Sequence, residues 1–171
     1  MSKHLQKDLD RLQRRLLTLA GSVELALNNA IRALEERDAG LARKVVAGEA
    51  QIDEEENQIE EECLKALALH QPVAADLRRV TAVMKINTDL ERMADLAEDI
   101  AERAMHLTLL PTLAIPARLS RMTDLTVTMV KLCLDAFVEL NADMARRVCR
   151  LDDEVDHHNE EIIRELLVAM K

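Results

Sequence analysis

From Leu5 onward, Leu9, Leu12, Leu16, Leu19, Val23, Ala26 and Ala30 alternate steps of four and three. That period keeps one apolar stripe on one side of a helix, and it predicts a first helix near 4–36. Asp38 carries the short acceptor side chain that suits a helix start. It predicts a second helix over 39–69, with its stripe at Leu41, Val45, Ile52, Ile59, Cys63 and Ala66. A proline cannot sit inside a helix but is tolerated in a first turn, so Pro72 is expected to end the second helix and open a third over 72–106. That third stripe runs Val80, Val83, Leu90, Ala94, Ala97, Ala101 and Ala104. The segment LTLLPTLAIP, 107–116, reads as a linker. Pro116 then suits the first turn of a fourth helix, 116–140, and Asn141 the cap of a fifth, 142–170.

The last two helices repeat the first two. A shift of 103 residues, without a gap, lays ALEERDAGLARKVV from Ala33 over AFVELNADMARRVC from Ala136, and QIDEEENQIEEECLKA over EVDHHNEEIIRELLVA. Eleven of the 35 aligned pairs are identical, among them Ala42 with Ala145, Arg43 with Arg146, Asp53 with Asp156, Ile59 with Ile162 and Glu62 with Glu165. A shared helical pattern alone would not hold such a register, so the expected fold is all-α, a tandem of three-helix-bundle repeats. The first repeat is expected over 1–108 and the second over 109–171. The same shift carries Pro72 to position 175, past Lys171, so the second repeat is expected to hold two helices only, five in all. Part of its apolar stripe, including Met129, Cys133 and Ala136 on one helix and Met144, Val148 and Ile162 on the other, would then face water. At about 25 cal/mol per Å2 such a surface favours burial against another copy, and a homodimer is expected.

Composition agrees with long helices: 49% of residues are hydrophobic, with three Gly, three Pro, one Phe and no Trp or Tyr. The formal charge is −9 with no basic stripe, so nucleic acid is not an expected partner. Cys63, Cys133 and Cys149 form no CxxC pair, and in the repeat register each meets an apolar residue of the other copy. They read as buried structural thiols of a reducing compartment. The start, MSKHLQKDLDRLQRRLL, lacks the apolar run of a signal peptide, and nowhere do about 20 apolar residues follow one another. The expectation is a cytoplasmic chain that meets a membrane only through partners.

The remaining signal is acidic. DLERMADLAEDI, Asp89 to Ile100, holds five acidic side chains and one basic one. At about 100° per residue, Glu91, Asp95, Glu98 and Glu102 share a narrow arc beside the apolar stripe, with Asn87 and Thr88 extending the ridge. Glu49, Asp53, Glu56 and Glu60 line the matching edge of the second helix. An antiparallel third helix would bring the two edges together, where a hard cation with oxygen ligands would offset their repulsion. The plainer reading of both edges is a solvated charged face. A ferritin-like carboxylate site is the other alternative, but it needs two Glu-x-x-His pairs, and Glu154 to His157 is unmatched in the repeat. No Gly-rich phosphate loop and no nucleophile with a convincing base occur, so enzyme activity is not expected.

The segment ALALHQPVAADLRRVTAVMKINTDLERMADLAEDIAERA, Ala66 to Ala104, resembles the signature of the PhoU family, above all in QPVAADLR and DLERMADLAEDIA. The tandem repeat and the place of Asp53 are similar to that family as well. The resemblance implies a cytoplasmic negative regulator of phosphate starvation signalling, linking a phosphate ABC transporter ATPase to a sensor histidine kinase. It also implies a carboxylate-held metal, iron first and otherwise Mg, Mn, Ca or Zn, at Glu91 and Asp95 with Asp53 and Glu56. Asp89, Glu98 and Asp156 are further candidates. The family's second acidic motif, on a sixth helix, has no counterpart in this sequence.

Overall fold

The computed structural model describes residues 3–111 and 114–170; Met1, Ser2, Lys171 and, within the expected linker, Thr112 and Leu113 lie outside the described residues. Among the described residues there are five α-helices and no strand: α1 Lys3–Glu36, α2 Ala39–His70, α3 Ala74–Thr108, α4 Arg118–Glu139 and α5 Ala142–Ala169. They fall into two compact units, the first ending at Leu110 and the second beginning at Pro111.

In the first unit α1, α2 and α3 each pack against the other two. The α1 stripe is buried from Leu5 to Val23, with Leu16, Leu19 and Val23 wholly inaccessible. Toward the end of α1 the core changes character. Ala30 and Ala33 meet Ala42 and Val45 of α2 and Ala97, Ala101 and Ala104 of α3 in one cluster. Methyl groups in place of leucines let the three backbones approach closely, because interhelical distance follows the side chains at the contact. Arg11 and Arg15 of α1 pair with Glu62 of α2 at 3.2 and 2.9 Å, closing the outer seam.

The helix ends follow from local chemistry. Asp38 accepts from the Gly40 and Leu41 amides at 2.8 and 2.9 Å, and Asn141 accepts from the Met144 amide at 3.0 Å. Arg37 and Leu140, repeat partners, both adopt the left-handed conformation at φ 55° and 53°. The residues after them donate back to Ala33 O and Ala136 O, 2.9 Å each, so one turn design serves both units. Pro72 differs from expectation. Helix α2 ends at His70, Gln71 takes the left-handed cap, and α3 begins only at Ala74, after Val73 in extended backbone. A left-handed Gln71 cannot lead straight into a helical proline, so two residues reorient the chain. The linker also starts later than expected, because Leu107 and Thr108 complete α3 and Arg37 donates to the Leu107 and Leu110 carbonyls.

The second unit is α4 against α5, with a thin core of Leu125, Leu134, Ala136, Val148 and Ile162. Here the cysteine expectation fails in part. Cys63 is buried, but Cys133 and Cys149 are exposed, although their repeat partners Ala30 and Val46 are wholly and partly buried. The first unit has α3 over those positions, whereas the described residues of the second unit form α4 and α5 only.

Core position should govern mutational cost. Leu16→Ala is expected to lower the unfolding free energy by about 2–5 kcal/mol in urea titrations. Leu25→Ala, at a residue 62% exposed, should change it by about 0.5 kcal/mol or less.

Candidate metal centre

Because α2 and α3 run antiparallel along the alanine seam, their acidic edges meet. One carboxylate oxygen each from Glu49, Asp53 and Asp95 lies within 4.8 Å of the others. Glu49 and Asp53 are one turn apart on α2, and Asp95 reaches them from α3. Glu56 lies one turn beyond Asp53 on α2, and Asn87 of α3, 1% exposed, donates through Nδ2 to the backbone carbonyl of Glu56 at 3.0 Å and to Glu56 Oε1 at 2.8 Å. Asn87 Oδ1 is buried and accepts no hydrogen bond. An amide at the core boundary therefore fixes Glu56 at the floor of the groove.

The electrostatics follow from burial and crowding together. Burial, a hydrogen bond with Asp53 and the charges of Asp53, Glu98 and Asp95 push the Glu49 carboxyl up to about 7. Burial and then the charges of Glu60, Glu91 and Asp53 raise Glu56. Glu91 is raised by burial, Asp95 and Asp53, and Glu98 by burial, Glu102 and Asp95. Among the described residues, none of Glu49, Asp53, Glu56, Glu91, Asp95 and Glu98 is in an ion pair, whereas Asp8, Glu62 and Asp89 each have a cationic partner. Burial first, and then the like charges of carboxylates held together without a cation, favour the protonated form, and the two together raise all four.

The structure thus brings Asp53 and Asp95 into one group and sets Glu91, Glu56 and Glu98 around it. Glu49 was visible in the sequence as part of the α2 edge, but nothing in the spacing promoted it over Glu56. Asp89 lies outside the group, exposed and 3.9 Å from Arg92. Asp156 belongs to the second unit, exposed on α5. His157 and His158 lie on α5 with ring centroids 6.2 Å apart. The donors that meet are oxygens only, with no thiolate or imidazole in the group. Such a set fits hard cations, among which ferric iron, magnesium, manganese and calcium qualify, better than zinc, which favours sulfur and nitrogen.

The described residues thus form an all-helical bundle protein with facing carboxylate edges in its first unit, and none of their helices is long and apolar enough to cross a membrane. Residues 16–104 and 119–171 match the family described as PhoU domain, and the chain belongs to that family. It is 36% identical over 163 residues to the phosphate-specific transport system accessory protein PhoU of Edwardsiella tarda, covering 95% of this chain and 67% of that one. It is 32% identical to the protein of the same name from Escherichia coli K12, covering 99% of this chain and 72% of that one. The crystal structure of PhoU from Pseudomonas aeruginosa superposes with a TM-score of 0.89 at 35% identity, over 96% of this chain and 79% of that one. The phosphate transport system regulatory protein PhoU from Streptococcus pneumoniae gives the same score at 28% identity, over 97% and 78%. The family is one of accessory and regulatory proteins of phosphate transport.

The raised Glu49 carboxyl sets a pH dependence. A carboxyl that holds its proton more tightly when folded stabilises the fold below its unfolded value of 4.5, and that contribution is lost as pH rises through about 7. Metal-free protein should therefore lose thermal stability between about pH 5 and about pH 8, in the window that the Glu49 shift defines. Glu49→Gln should flatten that slope and raise stability at the alkaline end by about 1 kcal/mol, allowing for screening at a partly exposed rim. Scanning calorimetry of both proteins in chelator checks it.

Proposed function

We propose that this chain is a negative regulator of phosphate uptake and of the phosphate-starvation response, acting through contact with a phosphate ABC transporter ATPase and a sensor histidine kinase. Membership in a family whose relatives are named phosphate-specific transport system accessory proteins supports the phosphate role. The α2–α3 groove is proposed to hold a hard cation, and the observation that carries this is the meeting of Glu49, Asp53 and Asp95 within 4.8 Å. These three would be ligands, with Glu91 and Glu56 one turn away. Iron is the metal that the resemblance favours.

A cation there would supply positive charge between two helices that otherwise repel along this edge. The chain's own part is to hold the donors: the alanine seam sets the helix spacing, Asn87 orients Glu56, and Glu49 must release its proton before it can bind. Affinity should consequently fall as pH drops below about 7. The groove would then act as a clamp that stiffens the α2–α3 pair presented to partners, with no bond made or broken.

Two measurements test this. In protein purified without a histidine tag, mass spectrometry should find a metal, and Asp53→Asn with Asp95→Asn should lower occupancy by about tenfold or more while helicity is kept. Equal occupancy in the variant removes the metal site. Deletion of the gene should derepress phosphate-starvation genes in phosphate-rich medium, with rescue by the native gene and weaker rescue by the double variant. Unchanged expression on deletion removes the regulatory reading.

A further inference from the structure

Where α2 turns into α3, the first unit exposes aliphatic side chains: Leu69 is 77% exposed, Val73 74% and Leu77 40%. Val73 is also the N-cap of α3 and has no side-chain hydrogen bond there, whereas Asp38 and Asn141 cap α2 and α5 through their side chains. A valine forgoes the stabilisation that Ser, Asp or Asn gives at that position, so a local rule of helix starts is broken with no gain inside the chain. Basic side chains surround the turn on all three helices. The contact of 2.9 Å between Asp8 and His70 and the bond of 3.2 Å from Arg79 to Gln13 set this part of α1 level with the turn. Over 7–15 and 63–79 the chain has seven Lys and Arg against three acids, although its formal charge is −9. Lys7 and Arg14 of α1 and Arg78 of α3 are exposed and in no ion pair among the described residues, and Lys65 of α2 pairs only with Glu61 of its own helix.

We propose that this end of the first unit docks on an anionic lipid bilayer, with Leu69, Val73 and Leu77 at the boundary of headgroups and acyl chains and Lys7, Arg14, Lys65 and Arg78 against the headgroup charges. Charge complementarity selects an acidic surface, and the arrangement selects a bilayer over an acidic protein. Leu69 and Val73 stand about three-quarters exposed at a turn, where they offer a wedge and no cleft for a partner's anchor. The basic groups are spread over three helices around that wedge, so they come together against a plane met end-on and not along one helix face. Long Lys and Arg stems let the charges stay among the headgroups while the aliphatic tip goes deeper. Glu49, Asp53 and Asp95 lie nearer the opposite ends of α2 and α3, so the bilayer meets the basic end of a chain whose net charge is negative. The contact is direct, additional to any made through partners, and peripheral, since no helix of the described residues is long and apolar enough to cross a membrane.

Vesicle flotation of the full chain in chelator tests this, the chelator keeping any cation from bridging the acidic groove to lipid. The chain should bind phosphatidylcholine vesicles containing about 30 mol% phosphatidylglycerol about tenfold or more tightly than pure phosphatidylcholine, and the preference should disappear at about 0.5 M salt. Arg14→Glu with Arg78→Glu should abolish it, while Arg43→Glu with Lys44→Glu, at the other end of α2, should leave it within about twofold. Leu69→Ser with Val73→Ser should weaken binding about tenfold with the melting temperature kept or raised, because serine at position 73 can accept from the amides of the first turn of α3. Equal binding to both kinds of vesicle, equal loss from the two charge-reversal pairs, or unchanged binding by the serine variant overturns the inference. So does absence of binding to the anionic vesicles, which would leave an acidic protein surface as the occupant.

Discussion

Close contact between alanines is the constraint on which this molecule depends. Ala97, Ala101 and Ala104 of α3 lie against Ala30, Ala33 and Ala42, and this fixes both the spacing and the axial offset of the helices. The carboxylate groove is a consequence of that offset. At 4.8 Å, like charges repel by about 1–3.5 kcal/mol per pair for effective dielectrics of roughly 80 to 20. A single fully buried Leu or Val contributes about 1.5–3 kcal/mol, and α1 alone buries Leu5, Leu9, Leu12, Leu16, Leu19 and Val23. The apolar core therefore outweighs the repulsion and holds the acids together.

That imbalance gives the groove its chemistry. Acids compressed by a core that does not yield can lower their mutual repulsion by taking up protons or a cation. Glu49, raised to about 7, shows the first response. The oxygen-only set of Glu49, Asp53 and Asp95 is suited to the second. Both act on the same α2–α3 pair, so pH and cation supply would compete for one site. The buried Asn87 amide adds direction, since it donates to both the backbone carbonyl and the carboxylate of Glu56.

The two repeats show how much one helix contributes. Their turns share a left-handed residue, a polar cap and the same 2.9 Å backbone return bond. Their interiors differ. Among the described residues α4 and α5 pack only on each other, and positions equivalent to wholly buried alanines, with two thiols that an apolar repeat partner would place inside, are exposed. Burial is thus a property of the packed trio, and sequence equivalence transfers the seat without transferring its cover.

The helices themselves were legible in the sequence, because a period of 3.6, a capping Asp38 or Asn141 and a terminating proline all act within a few residues of chain. So was the family, through QPVAADLR and DLERMADLAEDIA, and so was the acidic character of both helix edges. The tertiary structure decided what depends on how the helices meet. It placed Glu49 with Asp53 and Asp95, and left Glu91 and Glu56 a turn away, because the relative offset of α2 and α3 is set by interdigitating alanines that are far apart in the chain. It moved the start of α3 past Pro72 to suit a left-handed Gln71. It also exposed Cys133 and Cys149, since an apolar stripe records which face a helix would bury and contains no information on whether a neighbour arrives to bury it.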